Sequence, residues 1–142
     1  MADRTAHVTW SGSLMEGAGT ITSVGSGAFG PLDVTWASRA EESEGRTSPE
    51  ELIAAAHAAC FSMALSHGLA EAGTPAEKLE VDTTVTFVPG TGITAIELAV
   101  VGSVPGIDEP AFLHAAGAAK DNCPVSMALA SVPEITLRAS LA

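Results

Sequence analysis

Thr47-Ser-Pro-Glu-Glu-Leu-Ile-Ala-Ala-Ala-His-Ala-Ala-Cys-Phe-Ser-Met-Ala-Leu65 is the stretch on which the fold turns. Its opening is a helix start: a hydroxyl for the N-cap, a proline where a missing N–H costs nothing, and two acids at the positive end of the helix dipole. The helix is expected from about Pro49 to Ala72, ending before Gly73. From Leu52 to Leu65 only His57 and Ser62 are markedly polar, so this segment is apolar nearly all round. That middle spans about 21 Å at 1.5 Å per residue, short of the roughly 30 Å of a bilayer core. A helix buried by protein is the better reading, and the small side chains Ala54, Ala55, Ala56, Ala58 and Ala59 let other backbones come close.

Upstream, Ala6–Trp10, Gly19–Val24 and Leu32–Ala37 alternate or are rich in β-branched residues and are punctuated by glycines, which predicts three short antiparallel strands in a meander. Downstream, Leu79–Val88 and Ile93–Val104 flank the turn Pro89-Gly-Thr-Gly92 and read as a long hairpin. Asp108 can cap a helix over about Pro110–Asp121, Cys123-Pro124 opens a further short helix, and Glu134–Ala139 is a last strand. No repeat, low-complexity tract or linker interrupts the 142 residues, so one α+β domain over residues 1–142 is expected. So apolar a helix needs more cover than about six strands on one side give, which predicts a homodimer enclosing two such helices.

The formal charge of −11 sets 17 acids against six basic residues: Arg4, Arg39, Arg46, Lys78, Lys120 and Arg138. Such a balance repels phosphate backbones and anionic lipid, so neither nucleic-acid nor membrane partners are expected. Met1–Ala6 has no basic region leading into an apolar stretch, which gives a cytoplasmic expectation. Two cysteines in that compartment are reduced at rest, and any pairing between them is a reaction step rather than a staple.

Those cysteines are the candidate chemistry. Burial in the apolar helix without a charge partner would raise the Cys60 thiol and leave it an inert core residue. Cys123, at a helix start before Pro124, has the better electrostatics for a thiolate, and its alternative is a small residue chosen for a tight turn. A cation for Cys60 must come from six residues. Arg39, expected at the end of the third strand, is better placed than Arg46, which lies among Glu41, Glu42 and Glu44. Glu50 could fix the Arg39 fork or serve the helix dipole. His57 is either a hydrogen-bonded core histidine or half of a Cys–His pair one turn before Cys60, and a zinc site of His57, Cys60 and Cys123 lacks any supporting spacing and a fourth ligand. No Gly-rich phosphate loop or Gly-x-Ser-x-Gly elbow is present.

Thr47–Leu65 together with Asn122-Cys-Pro-Val-Ser126 closely resembles the osmotically inducible protein C (OsmC) family. Trp10-Ser-Gly12, Gly17-Ala-Gly-Thr20 and Val104-Pro-Gly-Ile-Asp108 extend the likeness across nearly the whole chain, and the early Gly-Arg-Asp-Gly loop of the sister organic hydroperoxide resistance branch is absent at Trp10–Leu14. The resemblance implies an α+β intertwined dimer, with antiparallel sheets around a long buried helix and an active site formed between subunits. It also implies a reactive Cys60, a resolving Cys123, and Arg39 and Glu50 in the positions of the family's arginine and glutamate, which reverses the ranking of the thiols by helix position. The activity implied is a thiol peroxidase without cofactor that reduces alkyl or lipid hydroperoxides through a sulfenic acid and an intramolecular disulfide, reopened by a lipoyl- or thioredoxin-type dithiol. Phe61, Met63 and Met127 would give an apolar lining. The competing expectation is a non-enzymatic carrier of a hydrophobic small molecule on the same fold.

Overall fold

The computed structural model describes residues 1–142, which fall into two compact units, Met1–Leu52 and Ile53–Ala142. In the first, strands β1 (Ala6–Ser11), β2 (Ala18–Val24) and β3 (Leu32–Val34) form the expected antiparallel meander in the order β1-β2-β3. Trp10 of β1 faces Gly19 of β2, and a Cβ on Gly19 would come within 2.7 Å of the Trp10 ring and 2.9 Å of a Val34 methyl, so the bare backbone is what admits the indole. The strand expected over Leu32–Ala37 stops at Val34, and the chain turns instead into a short helix, α1 (Trp36–Ala40). Thr35 causes the change. Its Oγ1 accepts from the Ser38 N–H at 3.0 Å while Ser38 Oγ accepts from the Thr35 N–H at 2.9 Å, a reciprocal capping box that satisfies two otherwise unpaired donors. Arg39 therefore stands on α1, not at a strand end.

The long helix α2 (Pro49–Glu71) starts in the first unit and runs through the second. Ser48 Oγ accepts from the Glu51 N–H at 3.1 Å, as the sequence suggests for an N-cap. At the other end Gly73 takes φ +85° and Thr74 N–H donates to Leu69 C=O at 2.9 Å, closing the helix with a left-handed residue. By length and composition the 23 residues could cross a membrane, a broader result than the apolar middle alone gave. The packing reads otherwise: Phe61, Leu65 and Leu69, spaced at successive turns, are fully buried in the core of the second unit.

That core is completed by a second sheet. β4 (Lys78–Val88) and β5 (Gly92–Ser103) form the antiparallel hairpin, and β6 (Glu134–Leu141) pairs with β5 in parallel. The parallel pairing follows from the route between them, since helices α3 (Glu109–Asn122) and α4 (Pro124–Ala128) carry the chain back across before β6 begins. Asp108 caps α3, accepting from the Ala111 N–H at 2.9 Å. Leu98 and Val100 of β5 meet Phe112, Ala116 and Ala119 of α3 in the core. A Cβ on Gly102 would lie 2.6 Å from the Phe112 ring, so this strand position sets how closely α3 approaches. Two small sheets and one long helix make the chain α+β, as expected.

Candidate active site

Each unit contributes one assembled group. In the first, the loop between α1 and α2 is tied back by Ser38 Oγ, which donates to Thr47 C=O at 3.1 Å, and by Thr47 N–H, which donates to Asp33 C=O at 3.1 Å. These bonds fold the start of α2 toward α1 and set Arg39 against Glu50. Arg39 Nη2 and Nε donate to Glu50 Oε1 at 2.7 and 3.0 Å, and Nε reaches Oε2 at 3.2 Å. The Glu50 side chain is 7% exposed and that of Arg39 33%. A carboxylate so buried holds its charge through a planar fork and the first turn of a helix, and it fixes the guanidinium in one orientation. Arg46, by contrast, meets only exposed Glu44, at 3.6 Å.

In the second unit α2 brings Cys60 against Cys123, which lies at the junction of α3 and α4. Cys123 ends α3 by donating its N–H to Ala119 C=O at 2.9 Å and begins α4 by accepting from the Met127 N–H at 3.0 Å. Both cysteines are free thiols; Cys123 is fully buried and Cys60 half-buried. Burial and the hydrogen bond to Cys123 push the Cys60 thiol up. Cys123 is held below its ordinary value although burial opposes this, because the Cys60 thiol and the Ser126 and Val125 N–H groups all favour the anion. No capping bond of ordinary geometry forms at Cys123; sulfur accepts from these amides at longer range than a capping oxygen would.

Behind the thiols, His57 is fully buried and its Nε2 lies 2.7 Å from Ser126 Oγ, joining α2 to α4. Burial pushes His57 below the usual histidine range, so the ring is neutral near pH 7. Of the two readings open from sequence, the hydrogen-bonded core histidine is the one found. Ser126 was quoted in a motif but given no role; its spacing of three from Cys123, which puts both on one side of a helical turn, was the available signal. Phe61 lines nothing, since its ring is wholly in the core, whereas Met63 and Met127 are exposed. No group of three or more His, Cys, Asp or Glu side chains is arranged to hold a metal ion. The structure thus pairs Arg39 with Glu50 and, in the other unit, Cys60 with Cys123.

The chain matches the family described as OsmC-like protein over residues 41–138. It is 43% identical over 131 residues to peroxiredoxin OsmC of Escherichia coli strain K12, covering 90% of this chain and 89% of that protein. Among solved structures, the organic hydroperoxide resistance protein OhrB of Bacillus subtilis is 25% identical with a TM-score of 0.65, over 97% of this chain and 98% of that one. An organic hydroperoxide resistance protein OsmC from Legionella pneumophila, 22% identical, shares the fold with a TM-score of 0.67, over 97% and 96% of the two chains.

Proposed function

Since this chain belongs to the OsmC family, we propose that it acts as a peroxiredoxin-like organic hydroperoxide reductase, with Cys60 as the attacking thiol and Cys123 as its resolver. The observation that carries the reading is the juxtaposition of two free thiols, one accessible and one buried. Electrostatics alone favour the anion on Cys123, but a hydroperoxide cannot reach a sulfur with no exposed surface, so access assigns the attack to Cys60. The Cys60 thiolate displaces at the terminal peroxide oxygen, the O–O bond breaks, Cys60 becomes a sulfenic acid, and the alkoxide takes a proton to leave as an alcohol. Cys123 then attacks the sulfenic sulfur, expelling hydroxide that leaves as water, and the disulfide is reopened by a dithiol of lipoyl or thioredoxin type.

Within the second unit Cys60 is pushed up, so it needs a cation for its anion. The Arg39–Glu50 pair is ordered to supply one, and in this reading its guanidinium stabilises the Cys60 thiolate and orients the peroxide, in a homodimer whose site is completed between subunits. The functional body is one OsmC-like domain over residues 1–142, working in the cytoplasm without a cofactor. Exposed Met63 and Met127 suit an alkyl or lipid chain better than hydrogen peroxide. Steady-state reduction of cumene hydroperoxide with dithiol tests the assignment: Cys60→Ser abolishes turnover and Cys123→Ser stops after one round. Full turnover by Cys60→Ser refutes it.

A further inference from the structure

The peroxide chemistry above leaves His57 and Ser126 without a task, although both are buried polar groups at its edge. His57 Nδ1 has no hydrogen-bond partner, while Nε2 meets Ser126 Oγ at 2.7 Å. A bare buried acceptor is tolerated better than a stranded N–H, so the proton belongs on Nε2, which donates to Ser126 Oγ. The serine hydroxyl then has its own hydrogen left to give. Ser126 is the third residue of α4, the position whose side chain turns back toward the N-cap, and the N-cap is Cys123. The Ser126 hydroxyl is within hydrogen-bonding reach of the Cys123 sulfur.

We propose that Ser126, oriented by the Nε2–H of neutral His57, donates a hydrogen bond to the Cys123 sulfur and so holds that residue ready as the resolving thiolate. The inference rests on the peroxidase reading and makes Ser126 and His57 positioning residues for its second half. In that step the Cys123 thiolate attacks the sulfur of the Cys60 sulfenic acid, the S–S bond forms as the S–O bond breaks, and the hydroxide takes a proton from solvent. The Cys123 sulfur loses its charge as the bond forms, so the donor matters before attack and exacts nothing after it. Other groups around Cys123 do not substitute for this donor. Cys60 and His57 are the titratable residues facing it from α2, its neighbours from β5 and α3 in the core are apolar, and Lys120 and Asp121 of α3 engage each other at 3.7 Å.

Two measurements test this. In a Cys60→Ser background Cys123 is the sole cysteine, and its titration is followed by thiolate ultraviolet absorbance. Adding Ser126→Ala raises the midpoint by about one pH unit, the loss of one good donor to the anion. Ser126→Thr, which keeps the hydroxyl, restores it, and His57→Leu moves it the same way by less. With both cysteines present, rapid-mixing kinetics after hydroperoxide addition show Cys60 oxidation unslowed in Ser126→Ala, whereas disulfide formation at neutral pH falls about tenfold and recovers at higher pH, following the thiolate fraction. An unmoved Cys123 midpoint overturns the inference and leaves the peroxidase assignment standing. A moved midpoint with unslowed disulfide formation overturns the role in resolution. Absence of any Cys60 oxidation in the unsubstituted protein overturns the peroxidase reading itself.

Discussion

His57 places a pH dependence in the core. Burial depresses its pKa below the unfolded value, here 6.5, so below that pH the unfolded chain binds a proton that the folded chain refuses. Stability from this group is fully present above about pH 6.5 and is lost as pH falls toward the folded pKa. Urea midpoints measured from neutral pH down to the edge of carboxylate titration should therefore decline, and His57→Gln should flatten the decline by removing the titrating ring. Parallel slopes in the two proteins would show that His57 charges in the fold without penalty. At this scale the sequence was legible where residue types are scarce: two cysteines and six cations leave few ways to build a thiol site, and Arg39 with Glu50 could be picked out. Ser126 escaped notice because a serine in a short helix has an ordinary explanation, and only the three-dimensional crossing of α2 and α4 gives its hydroxyl a partner.

Among the elements, α1 is the one on which the guanidinium depends. Its five residues are too few to be stable as an isolated helix, so the Thr35–Ser38 capping box and the Ser38–Thr47 bond hold it. Thr35→Val should cost about 1 kcal/mol as a lost N-cap. Arg39→Ala should cost about 2 kcal/mol, because it leaves the Glu50 carboxylate buried without its partner, the figure being held down by the partial exposure of Arg39. Arg39→Lys should fall between, keeping the charge but not the fork. Chemical denaturation orders the variants, and a fully stable Arg39→Ala would mean that Glu50 is satisfied elsewhere. Alternation of Leu32, Val34 and Trp36 reads as strand, and the capping box that overrides it after Val34 is a local competition that periodicity cannot see. Long elements with strong ends, α2 and the β4–β5 hairpin, were legible to within a residue or two. The parallel pairing of β6 was not, because it is set by the path of α3 and α4 across the sheet.

For the whole molecule, the surface of the single chain is unusually apolar where α2 and β1 meet solvent: Met63 is 70% exposed, Val8 53% and Trp10 41%. Exposed apolar residues on a helix that is itself apolar nearly all round are what the proposed homodimer would cover. Sedimentation equilibrium at micromolar concentration should give a dimer. Added salt should tighten it, since each copy carries a formal charge of −11. A monomer across that range would sink the joint enclosure of α2 and, with it, the completion of the site between subunits. The central claim is narrower: Cys60 and Cys123 work as a reacting pair. Mass spectrometry of the reduced protein after one equivalent of cumene hydroperoxide tests it most directly. The account predicts a loss of two hydrogens and a single cross-linked peptide joining Cys60 to Cys123; an unchanged mass, or oxygen added to Cys123 with Cys60 still reduced, would contradict it.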